Sequence, residues 1–159
     1  EYNYCVSAYY RPSHKKILFY DGEVIDVFNY AEKNKVNGEK VNKNNFTLCA
    51  RIPNHDITSK LLVAPCFLPN FFGGDYWVIA AGPKSDNYEW AIISGGQPDV
   101  QLKDGCTTKT KGVNSAGFWY FTRNQYVSEK LLNFMDKKAK EKGFSTSLLN
   151  KVEQKGCLY

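Results

Sequence analysis

Hydrophobic and polar residues alternate along most of the first 123 positions, which is typical of strands that bury one face. The turn signal Asp21-Gly22 lies between two such segments and favours a tight hairpin. The segment from 32 to 45 is polar and is predicted to be a loop that contains a poor strand, and the polar segment from 95 to 116 is predicted to be a long loop. The predicted strands cover residues 4–10, 16–20, 23–30, 46–52, 59–67, 76–82, 88–95 and 117–123.

After residue 123 the period of the pattern changes. Apolar side chains recur at steps of three and four residues, at Val127, Leu131, Leu132, Met135 and Ala139. Ser128 and Glu129 supply a cap-like acidic start, and Gly143 supplies a stop. This pattern predicts one amphipathic helix of about four turns, followed by a short strand and the tail.

The order of these elements predicts the architecture. Strands in sequence order with short connections favour an all-β, up-and-down antiparallel barrel of about eight strands, with the helix packed outside it. We expect residues 1–159 to form a single domain. Residues 76–82 are apolar on both faces. This pattern is explained if one face of the strand lies on the barrel interior and the other lies under the helix. An eight-stranded barrel is wide enough to hold one small ligand.

Composition adds an aromatic signal. Aromatic residues make up 15% of the 159 residues, mostly Tyr and Phe. They favour a ligand cavity, because a solidly filled small barrel usually prefers aliphatic side chains; the alternative is that they simply fill the core. The net charge of +5 includes no concentrated basic block, which argues against nucleic acid as a partner. No apolar run reaches transmembrane length.

Five cysteines lie at positions 5, 49, 66, 106 and 157. No Cys-x-x-Cys pair is present, and neither His14 nor His55 is spaced from any of the cysteines as ligands of one metal ion usually are. No metal site is therefore expected. Scattered cysteines in a small strand-rich chain predict disulfides and an oxidising compartment, either extracellular or an organelle lumen. The odd number leaves one thiol free or bonded outside the chain. Asn45 begins a sequon, Asn45-Phe46-Thr47, which is a weak indication of glycosylation.

The order of several motifs resembles the lipocalin family, closest to apolipoprotein D-like and bacterial lipocalins. YWVIAAGP is followed by YEWAIISGG, by GFWYFTRN, by a helix ending in KEKGF and by a cysteine near the terminus. CVSAYY resembles the cysteine-led second strand of the apolipoprotein D branch. Arg123 matches the arginine of the third family signature, whereas Asp86 and Tyr88 keep the second signature only in part.

One family motif is missing. Lipocalins begin with Gly-x-Trp on the first strand, and this chain begins at what resembles the second strand. Without the first strand, the segments around Cys5 and Arg123 are open edges, and unpaired edges attract other strands. We therefore expect that a separate chain supplies the first strand, or that the strand was not captured in this sequence.

The resemblance assigns roles to particular residues. Trp119 and Tyr10 match residues that line the ligand cavity, and Arg123 matches a structural residue at the closed end of the barrel. Alternation adds three ligand-binding candidates, Phe67, Tyr88 and Trp90.

The resemblance also implies a disulfide between Cys5 and Cys157, and a bond from Cys106 to a cysteine upstream of the first strand. Cys49 and Cys66 lie on neighbouring predicted strands and are expected to pair with each other, with a buried free thiol at Cys49 as the alternative.

These observations predict binding and transport of a small hydrophobic ligand: a lipid, steroid, retinoid, carotenoid or tetrapyrrole pigment. No cofactor beyond such a ligand is required. One alternative is a lipocalin-like enzyme acting on a lipid or a xanthophyll, for which Asp26, Cys49 and Cys66 are the candidate catalytic residues. Another is an accessory structural subunit of a larger complex. The aromatic loop at 67–77 would then contact a membrane or a partner protein.

Overall fold

The computed structural model describes residues 3–42, 46–112 and 114–159. Contacts divide the chain into two compact units, the first comprising Glu1–Pro53, Leu62–Gly73 and Asn150–Tyr159 and the second Asn54–Leu61 and Gly74–Leu149. The strands are β1 (Asn3–Ser13), β2 (Val24–Lys33), β3 (Glu39–Lys40), β4 (Thr47–Arg51), β5 (Lys60–Pro65), β6 (Gly74–Lys84), β7 (Asn87–Ser94), β8 (Val100–Leu102), β9 (Gly105–Thr107) and β10 (Phe118–Thr122). One helix, α1 (Glu129–Glu141), follows them. The prediction of antiparallel strands followed by one C-terminal helix is confirmed, and the single domain over 1–159 stays a prediction.

The first unit is a sheet of sequential antiparallel strands. β1 pairs with β2, β2 with β4 and β4 with β5, while the short β3 adds to the end of β2. Val24 and Cys49 are buried on one face of this sheet, and Val27 is buried on the other. The C-terminal tail is fastened to β1, because the Cys5 N–H donates to the Glu153 carbonyl at 3.0 Å and Cys5 is bonded to Cys157.

The segment at 16–20, expected to be a hairpin strand, is instead a turn with one bridge between Ile17 and Tyr20. Ile17 is buried against Val24 and Cys49, so the apolar residues of this segment serve as a cover over the sheet. The Tyr20 hydroxyl accepts the Ile52 N–H at 2.9 Å and holds the turn in place. Alternation in so short a segment does not separate a strand from a covering turn.

The second unit contains the sheet β6–β7–β10, in which all neighbours are antiparallel. The segment at 95–116, predicted to be a loop, also forms the small hairpin β8–β9. Its strands have three residues each, too few for alternation to be visible in the sequence. The short strand expected after the helix is not formed: from residue 146 onward the described chain has turns, such as the one closed by the Leu149 N–H on Thr146.

Helix α1 confirms the prediction from the 3.6-residue period. The Ser128 side chain accepts the Leu131 N–H and caps its first turn. At the other end Gly143 has a φ of 82°, which terminates the helix in the left-handed region that favours glycine. Met135 and Ala139 are buried against Ile92 of β7 and against Phe144. These four residues form the core of the unit. Within the described residues, no helix has the length and apolar content that crossing a membrane requires.

Candidate functional site

The sheet of the second unit has apolar side chains on both faces, and α1 covers one of them. Ile92 of β7 lies opposite Tyr120 of β10, and both pack on the helix. The next position, Ile93, lies opposite Trp119 and Val78, so these three side chains are on the face away from α1. Ile93 is 2% exposed, whereas Trp119 keeps 39% of its surface exposed. Trp119 therefore presents an indole at the border of a buried apolar face.

The position of the Trp119 ring depends on Gly117, the residue just before β10. Gly117 has a φ of 110°, a conformation that residues with a side chain rarely adopt. A Cβ atom at this position would also overlap the six-membered ring of Trp119. Gly117 thus permits the backbone conformation before β10 and leaves room for the Trp119 indole.

Trp90, a predicted ligand-binding residue, lies on the other face of the same sheet. Its ring packs edge to face on Phe134 of α1, with centroids 5.4 Å apart. An open groove of about 750 Å³ is lined by both rings and by Leu131, Glu89 and Lys130. Trp90 and Trp119 therefore lie on opposite faces of the sheet. Alternation in β7 could not predict this, because it does not show which face the helix covers.

A polar pair holds the helix to β10. The Tyr120 hydroxyl donates to Asp136 of α1 at 3.0 Å. Burial raises the pKa of Tyr120 above its ordinary range, and the hydrogen bond to Asp136 and the charge of that carboxylate raise it further. Tyr120 consequently stays a neutral donor to alkaline pH.

Arg123, just after β10, has a structural position. Its Nε atom donates to the Tyr88 carbonyl at 2.8 Å, and its backbone N–H donates to the Glu89 carbonyl at 2.8 Å. These bonds join the end of β10 to the start of β7. Tyr88 itself is an exposed residue of β7. The closed-end role of Arg123 and the ligand contact of Tyr88 stay predictions.

In the first unit, acidic, basic and sulfur-containing side chains share one face of the sheet. Asp26 lies opposite Cys49, which lies opposite Ala64. One step along the same face, Arg51 lies opposite Val24 and Leu62. Lys15 and Ile17, from the turn between β1 and β2, lie over this face. We call it the Asp26–Arg51 face; its members are Asp26, Cys49, Arg51, Val24, Leu62 and Ala64.

Tyr10, a predicted cavity residue, lies on the opposite side of this sheet. It is paired with Val27, which follows Asp26 in β2 and therefore points to the other face, and it is 46% exposed. Its neighbour Tyr9 is paired with Phe28 on the Asp26–Arg51 side, with ring centroids 6.1 Å apart. The register of β1 cannot be read from its sequence, because Tyr9 and Tyr10 are consecutive tyrosines and a shift of one residue exchanges their faces.

Asp26 is a buried carboxylate held by two cations. Lys15 Nζ lies 2.9 Å from one carboxylate oxygen and Arg11 Nε lies 3.7 Å from the other. Burial acts to raise the pKa of Asp26, but the hydrogen bonds from Lys15 and Ser13 and the charges of Lys15 and Arg11 outweigh it. The pKa therefore lies below its ordinary value of 3.8.

This lowered pKa predicts a pH dependence of stability. A carboxyl group whose pKa is lower in the folded state stabilises the protein at any pH above its pKa in the unfolded state, about 3.8. This stabilisation is lost as the pH falls below that value and through the pKa of the folded state. We expect Asp26→Asn to lower the free energy of unfolding by about 1 kcal/mol at pH 7. Urea unfolding of both proteins should show this difference shrink as the pH falls below about 3.8; a difference that is constant with pH would contradict the assignment.

Arg51, which the sequence analysis missed, is the largest fully buried side chain among the described residues. Its Nη2 atom donates to the carbonyls of Pro65 and Leu68 at 3.0 and 2.8 Å. Its Nε and Nη1 atoms are buried and have no hydrogen-bond partner in the described structure. Burial lowers the pKa of Arg51 from its ordinary value, opposed in part by Tyr20. Its position two residues after Cys49, in the same alternation, is the signal that could have revealed it.

The disulfides agree with the pairs expected from the sequence. Cys5 is bonded to Cys157 and Cys49 to Cys66, while Cys106 is a free thiol. The free-thiol alternative at Cys49 is thus wrong. Two disulfides indicate an oxidising environment.

The candidate catalytic residues Asp26, Cys49 and Cys66 do lie together, with their side-chain donor atoms within 4.8 Å of one another. Because the sulfur atoms are bonded to each other, they supply neither a nucleophile nor metal-binding thiolates unless the disulfide is reduced.

Phe67 follows β5 and is 74% exposed, as part of an aromatic segment with Phe71 and Phe72. Residues 70–72 of this segment form a single turn of 3-10 helix. The aromatic loop is shorter than the predicted 67–77, because β6 already begins at Gly74. Asn45, the sequon residue, lies outside the described residues.

No protein-family model matches this chain, and no curated protein matches it. The lipocalin resemblance therefore stays a prediction based on motif order.

Proposed function

We propose that this chain is a lipocalin-type barrel protein that binds and carries a small hydrophobic ligand. Three features support the proposal: sequential antiparallel strands, a C-terminal helix on one face of a sheet, and apolar side chains on its other face. The observation that carries it is the face away from α1, where Trp119 is 39% exposed beside the buried Ile93. A half-exposed indole at the edge of a buried apolar surface is suited to contact a ligand.

The binding would be driven by burial of apolar ligand surface. Each square ångström removed from water contributes about 25 cal/mol, and an aromatic wall adds a further preference for flat or conjugated ligands through offset stacking. Lipids, steroids, retinoids, carotenoids and tetrapyrrole pigments all have the required apolar surface. The two disulfides are consistent with a carrier in an extracellular or luminal compartment.

A separate chain that supplies a first strand remains part of the proposal. β1 pairs with β2 on one side, and a lipocalin-type barrel needs a further strand beside β1. The free thiol of Cys106 offers the additional chain a point of covalent attachment. Non-reducing mass spectrometry of protein from its natural source would detect such a chain as added mass that is released by a thiol reductant.

The proposal predicts saturable binding of a neutral fluorescent probe, N-phenyl-1-naphthylamine, with one site per chain. We expect Trp119→Leu to weaken this binding roughly tenfold, because the ligand loses a stacking partner and buried area. Trp90→Leu is the matched control, since it removes an indole from the opposite face, and its affinity should stay within about twofold. Fluorescence titration measures all three proteins.

Two outcomes would overturn the proposal. One is a wild-type protein that binds neither the probe nor any competing retinoid, steroid or lipid. The other is an equal loss of affinity in both tryptophan variants. Circular dichroism of each variant establishes that the titrated protein is folded.

A further inference from the structure

We infer that reduction of the Cys49–Cys66 disulfide creates a binding site for one Zn²⁺ ion, with Asp26 and the two cysteines as its protein ligands. The site lies within the first unit and does not depend on the carrier function proposed above. The observation behind it is that the side-chain ligand atoms of these three residues lie within 4.8 Å of one another.

Strand pairing brings the three residues together. Asp26 of β2 lies opposite Cys49 of β4, and the Cys49 sulfur is 3.8 Å from Asp26 Oδ1. Cys66 directly follows β5, and its sulfur is bonded to that of Cys49. No linear motif predicts this group, because each ligand comes from a different segment. Ligands that paired strands hold in place lose little conformational freedom when they bind an ion.

The distances suit a tetrahedral zinc site. Bonds of about 2.3 Å to sulfur and about 2.0 Å to oxygen place the ligand atoms roughly 3.5 to 3.8 Å apart around Zn²⁺. The distance of 3.8 Å between the Cys49 sulfur and Asp26 Oδ1 matches this range. Once the disulfide is cleaved, the two sulfur atoms separate by side-chain rotation, and the ion takes the space between them. A water molecule completes the coordination in a zinc site with three protein ligands.

The mixture of sulfur and oxygen ligands selects zinc. Thiolates bind Zn²⁺ and Cu⁺ well, whereas Mg²⁺ and Ca²⁺ take oxygen ligands. The carboxylate of Asp26 favours Zn²⁺ over Cu⁺, because Cu⁺ prefers sulfur. Two thiolates and a carboxylate carry more negative charge than one Zn²⁺ neutralises. Lys15 and Arg11, which lie 2.9 and 3.7 Å from the Asp26 oxygens, offset the remainder.

Cys66 provides the approach for both the reductant and the ion. Cys49 and Asp26 are buried, whereas Cys66 is partly exposed. Lys15 holds Asp26 Oδ1, but its side chain is 46% exposed and can turn towards solvent when the ion binds. The group is therefore reached from the Cys66 side without unfolding of the sheet.

The change between the two forms is a thiol–disulfide exchange with a dithiol reductant. One thiolate of the reductant attacks the Cys66 sulfur, the Cys49–Cys66 bond breaks, and the Cys49 sulfur leaves as a thiolate that takes up a proton. The second thiolate of the reductant then attacks the reductant's own sulfur in the mixed disulfide, which releases Cys66 and closes the reductant into a cyclic disulfide. Two electrons and two protons thus pass to the protein.

Zinc binding follows the reduction. Zn²⁺ replaces the two thiol protons, which pass to solvent. A small-molecule disulfide reverses the exchange, because it takes the two electrons back from the sulfur atoms and the re-formed Cys49–Cys66 bond releases the ion. The chain would therefore hold zinc only while this pair of cysteines is reduced.

The test is a titration of reduced protein with Co²⁺, followed by competition with Zn²⁺. The protein would be reduced with dithiothreitol, freed of it under argon and titrated while the Co²⁺–thiolate charge-transfer absorption is recorded. We expect one ion per chain and an affinity roughly 100-fold or more above that of the oxidised protein. Asp26→Asn should weaken binding by roughly tenfold or more, because it removes a charged ligand. Glu32→Gln, which alters a buried carboxylate of β2 outside the group, is the matched control and should stay within about threefold.

Two cysteine variants locate the ion. Cys66→Ser should abolish the charge-transfer absorption, whereas Cys106→Ala should keep it, because Cys106 is outside the group. Absorption that persists in Cys66→Ser would place the ion on other thiols and overturn the inference.

Three further results would also overturn it. One is a reduced wild-type protein that binds neither ion. Another is equal affinity in Asp26→Asn and wild type, which would mean that the cysteines bind the ion without the folded arrangement. The third is oxidised protein that binds as tightly as reduced protein. The probe titration of the carrier function uses oxidised protein, so the failure of either proposal leaves the other intact.

Discussion

Replacing Cys5 and Cys157 together by alanine is expected to lower the free energy of unfolding by about 4 kcal/mol. The disulfide joins residues separated by 152 positions, and its stabilisation in the chain-entropy model grows with the length of the loop it closes. It also fastens the tail, where the Cys5 N–H meets the Glu153 carbonyl and the Gln154 side chain donates to the Val6 carbonyl at 2.8 Å. We expect the tail to detach from β1 in the variant.

Urea denaturation of the double variant measures this loss, with Cys106→Ala as the control. In the chain produced alone, Cys106 is a free thiol, so its replacement should change the free energy of unfolding of this chain by less than about 0.5 kcal/mol. Equal stability of the double variant and the wild type would show that the Cys5–Cys157 bond contributes nothing to the folded state. Increased hydrogen exchange of residues 150–159 in the variant would locate the effect.

Met135→Ala is expected to destabilise the protein by about 2–5 kcal/mol. Met135 is completely buried in the contact between α1 and the β6–β7–β10 sheet, together with Ile92 and Phe144. Truncation removes apolar contacts and leaves a cavity that the neighbouring strands fill only in part. Because α1 is fastened to β10 by the Tyr120–Asp136 hydrogen bond as well, we expect weakened rather than abolished docking of the helix.

Thermal unfolding followed by circular dichroism measures the effect of Met135→Ala. Ile57→Ala is a suitable control, because Ile57 is largely exposed and its truncation should cost less than about 1 kcal/mol. A loss in Met135→Ala no greater than in the control would contradict the packing of α1 on this sheet.

The sequence predicted those parts of the fold that local periodicity determines. The seven long strands and α1 were identified because alternation and the 3.6-residue period extend over many residues. The hairpin β8–β9 was missed, since three-residue strands contain too little pattern. The turn at Ile17–Tyr20 was mistaken for a strand because a covering segment is as apolar as a strand.

The site was less predictable, because the face on which a side chain lies depends on register and on what covers each face. Trp90 and Trp119 were both named from the sequence, yet one packs under the helix and the other lies on the opposite face. Tyr9 rather than Tyr10 shares the face of Asp26, a difference of one residue in register. Arg51 was overlooked because an arginine at the end of a strand ordinarily extends into solvent.

Native mass spectrometry tests most directly whether the folded chain accommodates a small apolar molecule. The oxidised protein would be incubated with retinol, cholesterol, a carotenoid and oleyl alcohol, each in turn. The account predicts a one-to-one complex with at least one of them, weakened in Trp119→Leu and retained in Trp90→Leu. A chain that keeps both disulfides and its folded charge-state distribution, yet forms no such complex with any member of the panel, would contradict the account.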